Sequence, residues 1–220
     1  MSDNNARIIL ALAAEADDKL MWDRLTDIQA GMFAVGPVEI KFAYFGREGA
    51  SQVRPCITTN WITDPDDMRE IMDRGRAGCV CGCYIDVADI LEQAVREAQR
   101  APVQAVLIVG DHFRKSDHAV ALAKELRKTG TRVFLIERSR SSSHLDPAVK
   151  ALAEGTGGAY LQFNPAVERV AERLPGMLEA VSHFAIGGTR ALEALAQSDD
   201  KEAALLLEQV LEHSALPHLA

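Results

Sequence analysis

Short apolar runs recur along the chain and predict buried β-strands. The clearest five lie at residues 7–14, 38–45, 104–110, 131–137 and 158–163. Each is far shorter than the roughly 20 residues of a membrane-spanning helix, and an unbroken apolar run is typical of a strand covered on both faces. A sixth run, residues 53–59, contains Pro55 and follows the second run closely, which predicts an antiparallel edge strand.

Amphipathic helical patterns separate these runs. Residues 86–100 and 116–129 repeat apolar side chains at spacings of three and four, and another helix is predicted to start at Asp146 and Pro147. The predicted inward stripe of residues 86–100 is Val87, Ile90, Leu91, Ala94 and Ala98. Strands joined by helices of this length require right-handed crossovers. The pattern therefore predicts an α/β fold with a doubly wound, mostly parallel sheet.

The alternation of strands and helices ends near residue 165, and only helical patterns follow. Residues 165–184 carry one apolar helical stripe, which we expect to be interrupted at Pro175 and Gly176. Residues 186–213 predict a helical hairpin that turns at residues 198–200.

The hairpin suggests a division of the chain. We predict a capping box formed by Asp199 and Glu202 at the start of its last helix. We also predict an α/β domain over residues 1–182 and a C-terminal helical hairpin extension over residues 183–220. The extension has too many large aliphatic side chains for a solvated tail, so we expect it to pack on the domain or on a partner protein.

The charge of the chain argues against a nucleic-acid partner. The sequence has 32 acidic and 24 basic residues, which gives a formal net charge of -8. A field of this sign repels a phosphate backbone, so we expect no nucleic-acid binding. The apolar segment near the N-terminus is better explained as a strand than as a secretory signal. Because free thiols fit a reducing compartment, we expect a cytoplasmic protein. Since all the apolar runs are short, we expect no membrane insertion.

Three segments, taken in order, resemble a von Willebrand factor type A (VWA) domain. Residues 105–137 are similar to the fourth strand of this family, which ends in a metal-proximal Asp, and to the helix and fifth strand that follow. Residues 149–163 resemble its helix, Thr-Gly-Gly turn and last strand, and residues 81–95 resemble its Gly-rich second metal loop. The resemblance covers about residues 7–164. It implies a six-stranded, Rossmann-like sheet of order 3-2-1-4-5-6 with a metal-ion-dependent adhesion site at the carboxyl ends of the strands.

The candidate metal site departs from the family pattern in two loops. In the first loop, where the family has Asp-x-Ser-x-Ser, the resemblance places Ala11, Ala13 and Glu15 at the three ligand positions. In the second loop the threonine of the family falls on Ile85 or on Cys83. Neither side chain is a hard oxygen ligand. The resemblance therefore implies a degenerate metal-ion-dependent adhesion site.

Asp111 is the ligand of the family set that this sequence keeps. A single carboxylate is a poor site for Mg²⁺, which requires about six oxygen ligands. We expect no cofactor, and a divalent metal is kept as the alternative. The rim of the degenerate site is the candidate binding surface, and it comprises Glu15, Asp17, Asp18, Asp86, Asp111 and His112.

Three of the four cysteines cluster in the second loop, as Cys79, Cys81 and Cys83. A soft metal such as Zn²⁺ could use these thiolates, with Asp111 among the candidates for a fourth ligand. The spacing argues for simple packing, because structural zinc sites favour pairs separated by two to four residues. Two interpretations stay open: small apolar packing residues, or a cysteine-based metal or redox sensor.

The leading hypothesis is a non-catalytic protein-protein interaction module, an adaptor or assembly module on a VWA-like scaffold. The resemblance implies this role, because intracellular members of the family commonly act as adaptors for larger complexes. We expect a protein partner, and a homo-oligomer is compatible with the sequence. The alternatives are the cysteine sensor and a small-molecule-binding or hydrolytic α/β enzyme.

The Gly-rich segment 155–158 precedes a strand and lacks a following Lys, so it predicts a turn and not a phosphate loop.

Overall fold

A computed structural model of the chain describes residues 5–13, 28, 30–48, 52–78, 85–110, 113–114, 117–138, 147–163 and 170–215. The strands are β1 Ala6–Ala13, β2 Val38–Glu48, β3 Gln52–Ile62, β4 Ile85–Asp86, β5 Ala105–Gly110, β6 Phe113–Arg114, β7 Arg132–Arg138 and β8 Ala159–Phe163. The helices are α1 (residues 30–34), α2 Pro65–Gly78, α3 Val87–Ala98, α4 Asp117–Lys128, α5 Pro147–Thr156, α6 Val170–Gly187, α7 Thr189–Ala196 and α8 Lys201–Ala215.

Six strands form one sheet in the order β3-β2-β1-β5-β7-β8. Five of them are parallel, and β3 runs antiparallel to β2. The predicted strand order, the antiparallel edge and the doubly wound α/β fold are therefore confirmed. Pro55 lies within β3. A proline is tolerated in an edge strand because its missing N–H removes the least from the hydrogen-bond ladder there.

Alternate residues of the central strands face two separate hydrophobic layers. In β1, Ile8 and Leu10 pack in the layer that contains α2, α6 and α8, whereas Ile9 and Ala11 pack in the layer of α3, α4 and α5. All four side chains are fully buried. A strand buried on both faces contains apolar residues throughout, which explains the continuous apolar runs of the sequence.

Helix α2 was not among the predicted helices, although its start signals are present in the sequence. Pro65 is its first residue, and Asp66 lies in its first turn. The side chain of Asp64 accepts the backbone N–H of Asp66 at 2.8 Å. Proline at the first position and acidic residues in the first turn are ordinary features of a helix start. The apolar pattern is weak, because only Met68 and Met72 are buried among its described side chains.

Two local predictions about the C-terminal helices are wrong. Helix α6 continues through Pro175 without interruption. The proline removes one backbone hydrogen bond, but Leu174, Met177 and Leu178 on either side of it are buried in the core, and this packing keeps the helix continuous. The last helix is capped by Asp200, whose carboxylate accepts the N–H of Ala203 at 2.8 Å. Glu202 lies 2.6 Å from Arg173 and so takes part in an ion pair, and the predicted capping box with Asp199 does not form.

The C-terminal helices pack on the α/β sheet of the same chain. Leu192 of α7 and Leu206 and Val210 of α8 are fully buried in the same core as β1 and β8. The side chain of Gln209 accepts the backbone N–H of Tyr160 at 2.8 Å, so α8 also hydrogen-bonds to the outermost strand, β8. The domain division after residue 182 stays a prediction, and α6 runs across that position.

Candidate functional site

The carboxyl ends of the parallel strands form the edge at which the sequence placed the degenerate site. β1 ends at Ala13, which is the register partner of Gly110 at the end of β5, and Gly110 in turn lies opposite Glu137 of β7. Of the predicted rim, the structure describes only Asp86. The rim residues that lie outside the described part of the chain are Glu15, Asp17, Asp18, Asp111 and His112.

A separate two-stranded sheet connects two of the predicted site loops. β4 and β6 are parallel and pair Ile85 with Phe113 and Asp86 with Arg114. The pairing joins the segment before α3 to the segment after β5. Cys83 and Asp111 lie two residues before Ile85 and Phe113, outside the described residues. The resemblance implies that both loops belong to one site at the carboxyl ends of the strands, so we expect Cys83, Asp86 and Asp111 to converge there. The pairing of β4 with β6 agrees with this expectation, and the convergence of the side chains stays a prediction.

Asp86 caps helix α3. Its carboxylate accepts the N–H of Ala88 at 3.0 Å, with extended backbone angles of φ -78° and ψ 105°. In the first turn of α3, partial loss of solvent raises the pKa of Asp89, and the negative charges of Asp86 and Glu92 raise that pKa further. The start of α3 is therefore a region of negative potential, in which Asp86 also has a structural role.

The residue that the resemblance places at the first ligand position, Ala11, is buried and apolar. Ala11 lies in β1 between Ala43 of β2 and Ile108 of β5 and is 0% exposed. Among the described residues, no group of three or more His, Cys, Asp and Glu side chains is placed to hold a metal ion. The cluster formed by Cys79, Cys81 and Cys83 lies outside the described residues, so its role stays a prediction.

A buried carboxylate forms ion pairs with three basic side chains at the opposite, amino-terminal edge of the sheet. Glu97 of α3 is 3% exposed and lies 3.0 Å from Arg7, 3.2 Å from Lys41 and 3.3 Å from Arg100. The indole N–H of Trp61 also donates to Glu97 at 3.0 Å. Burial raises the pKa of Glu97, but the hydrogen bonds from Trp61 and Lys41 and the nearby positive charges outweigh burial and lower it.

The Glu97 network was missed by sequence reasoning because its members come from four separate elements. The predicted stripe of α3 ended on Ala98, whereas the structure buries Glu97 and leaves Ala98 half-buried. Arg7 also lies over the ring of Trp61, 3.9 Å from its centroid. The network attaches the end of α3 to β1, β2 and β3, so its evident role is structural.

The Thr-Gly-Gly segment forms the turn between α5 and β8. The hydroxyl of Thr156 accepts the N–H of Val133 at 2.9 Å and donates to the carbonyl of Ala153 at 2.8 Å. Gly157 has a left-handed φ of 74°. A Cβ at Gly158 would lie 1.9 Å from the carbonyl oxygen of Val133. The geometry agrees with the prediction of a turn.

Several solved structures share this fold at low sequence identity. A von Willebrand factor type A protein from Catenulispora acidiphila matches with a TM-score of 0.57 and 12% identity, over 83% of this chain and 43% of that one. The human COPII-coat protein Sec24c matches with a TM-score of 0.55 and 8% identity, over 82% and 32% of the two chains. The conserved hypothetical protein BatB from Bacteroides thetaiotaomicron matches with a TM-score of 0.50 and 11% identity, over 77% and 97%.

These likenesses show that the chain has a VWA-like α/β fold, as the sequence resemblance implied. No family model and no curated protein matches the chain. Within the described residues, none of the helices combines the length and the apolar character needed to span a bilayer. The cytoplasmic location stays a prediction from the sequence.

Proposed function

We propose that this protein is a non-catalytic protein-interaction module that binds its partner through the rim of the degenerate site without a bound metal ion. The observation that carries the proposal is the full burial of Ala11 near the end of β1, since the sequence resemblance places this residue at the first ligand position of the family. A buried methyl group offers no oxygen to a cation. The VWA-like scaffold supports an interaction role, and one structure of similar fold is a COPII-coat protein.

The charge of the rim defines the kind of partner. Asp86, Asp89 and Glu92 carry three carboxylates on the first turns of α3. The sequence adds more acidic residues after β1 and β5. A partner surface rich in Lys and Arg is complementary to this rim, and such attraction mainly accelerates association and weakens as salt rises.

The test is affinity purification of the full chain from its native cells, with and without EDTA. The rim variant combines Glu15→Gln, Asp86→Asn and Asp111→Asn, in which asparagine retains the capping oxygen of α3. Its control removes the same charge from exposed positions of α7 and α8, through Glu193→Gln, Glu208→Gln and Glu212→Gln.

We expect one reproducible partner that survives EDTA, is lost with the rim variant and is retained by the control variant. A partner that dissociates in EDTA would show that binding depends on a metal ion. Equal recovery with the rim and control variants would show that the rim is not the binding surface.

A further inference from the structure

Two guanidinium groups lie together at the C-terminal end of α5. Arg127, in the last turn of α4, donates to the carbonyl of Gly155 at 2.7 Å. Arg132, the first residue of β7, donates to the carbonyl of Thr156 at the same distance, 2.7 Å. These two carbonyls belong to consecutive residues, so the guanidinium groups are neighbours. Burial lowers the pKa of Arg132, and the positive charge of Arg127 lowers it further.

No carboxylate neutralises this pair within the part of the chain that the structure describes. Neither guanidinium has an acidic partner there, and both donate to backbone carbonyls. Glu154, the residue before Gly155, is instead paired with Lys150 at 3.2 Å. The negative end of the α5 dipole amounts to about half a charge. The two guanidinium charges therefore exceed the negative charge of the helix end by more than one unit, although the net charge of the whole protein is -8.

Gly157, in the turn after α5, has no side chain, and this leaves space for the guanidinium group of Arg132. A Cβ at Gly157 would lie 1.6 Å from Nη1 of Arg132, so the guanidinium lies directly against this glycine. Any other residue at this position would displace the guanidinium. Lys128, exposed at the end of α4, adds a third positive charge beside Arg127 in the chain. Each guanidinium carries five N–H donors, and one bond to a carbonyl leaves others available.

We propose that Arg127 and Arg132 form a binding site for a phosphoryl group, at the edge of the sheet opposite the degenerate metal site. A phosphoryl group carries a charge of about -1.5 to -2 and three strong acceptor oxygens. It can therefore accept from two forked guanidinium groups at once. Free inorganic phosphate and a phosphate ester on a larger molecule present the same oxygens. The site depends neither on the rim nor on a protein partner.

The experiment titrates the full chain with inorganic phosphate and with phenyl phosphate at constant ionic strength. Calorimetry gives the affinity, and the ¹⁵N signals of the arginine Nε–H groups report the location. We expect saturable 1:1 binding that shifts the Arg127 and Arg132 signals. Arg127→Gln should weaken binding about tenfold or more, a loss typical of one charge-assisted contact. Arg96→Gln, which removes an exposed arginine from α3, should leave the affinity within about twofold of the unmodified protein.

A second variant separates binding from folding, because both arginines also bond the end of α5. Arg132→Lys keeps the charge but loses the fork, so we expect it to fold and to bind more weakly than the unmodified protein. Tighter binding of phenyl phosphate would assign the site to a phosphate ester, and tighter binding of inorganic phosphate would assign it to the free ion. The proposal is wrong if phosphate shifts neither arginine signal in the folded protein. It is equally wrong if Arg96→Gln weakens binding as much as Arg127→Gln.

Discussion

Glu97 is the residue that joins α3 to the first three strands. Arg7 and Lys41 are largely buried beside its carboxylate. Removing the charge takes this partner from Lys41 and leaves Arg7 with the more distant carboxylate of Glu39, at 3.8 Å. Breaking a buried ion pair in this way typically costs about 3–5 kcal/mol. We expect Glu97→Gln to lower the free energy of unfolding in urea by about 3 kcal/mol. The control Glu92→Gln, at a more exposed position of the same helix, should change it by about 0.5 kcal/mol or less.

The same carboxylate predicts a pH dependence of stability. The pKa of Glu97 is lower in the folded chain than its ordinary value, so its ionised form stabilises the fold. This stabilisation is complete above the unfolded pKa of about 4.3 and is lost as the pH falls through the lower folded pKa. The difference in unfolding free energy between the unmodified protein and Glu97→Gln should therefore be constant near neutral pH and shrink in acid. Urea unfolding over a pH series measures it, and a difference that grows in acid would contradict the assignment.

Two glycines near the end of α5 form a matched pair for testing the turn. A Cβ at Gly158 would collide with the carbonyl oxygen of Val133, whereas a Cβ at Gly155 would meet no heavy atom within 4 Å among the described residues. We expect Gly158→Ala to destabilise the fold by about 3 kcal/mol, through overpacking against the backbone. Gly155→Ala should be neutral or stabilise by up to about 1 kcal/mol. Thermal unfolding measures the change in stability for both variants. Equal changes would mean that the chain relieves the close contact at Gly158 without losing stability.

At the scale of elements, α8 provides a test of the packing of the C-terminal helices. Leu206 is 1% exposed and faces the sheet, whereas Leu211 is 47% exposed on the same helix. Leu206→Ala should cost about 2–5 kcal/mol because it leaves a cavity in the core. Leu211→Ala should change the free energy of unfolding by about 0.5 kcal/mol or less in the isolated chain. If both substitutions left the denaturation midpoint unchanged, α8 would not be packed on the sheet.

The elements also differ in how clearly the sequence predicts them. The predicted helix at residues 116–129 is observed as Asp117–Lys128, because its apolar face and its final Gly130 are local features. Helix α2 has equally local start signals but few buried side chains, and it was missed. Pro175 was expected to interrupt a helix that packing keeps continuous. Local sequence signals therefore predict a helix well when the buried face in the structure matches the apolar pattern of the sequence.

At the scale of the whole molecule, the proposed function predicts that divalent cations have little effect. Calorimetric titration with Mg²⁺ or Mn²⁺ should show at most weak, millimolar binding, because a site with too few oxygen ligands cannot replace the hydration shell of the ion. Micromolar affinity that disappears with Asp111→Ala would contradict the degenerate site.

Elemental analysis of the same sample should show no stoichiometric zinc, copper or iron. One metal per chain, lost with Cys81→Ser, would support the cysteine sensor instead.

The two proposed sites lie at opposite edges of the sheet and can be tested separately. Asp86 and Asp89 lie beside the carboxyl edge, and Arg127 and Arg132 lie at the amino edge. The rim variant should therefore bind phosphate normally. Arg127→Gln should still capture the partner, because no part of the rim is changed.

For the candidate site, the sequence could predict which residues lie near the carboxyl ends of the strands but not what their side chains contact. Asp86 was predicted at the rim, and the structure shows it capping α3. The other rim residues and the clustered cysteines lie outside the described part of the chain. The Arg127 and Arg132 pair was not found, because the carbonyls that hold it lie 28 and 24 residues farther along the chain.

The sequence by itself determined the alternation of strands and helices, the antiparallel edge and the turn before β8. These features follow from apolar periodicity and from the conformational limits of proline and glycine, which act over a few residues. Only the tertiary structure decided that Glu97 is buried with Arg7, 90 residues away, and that the C-terminal helices cover the sheet of their own chain. The physical reason is that charge pairing and packing depend on distance in space, which local patterns along the chain do not contain.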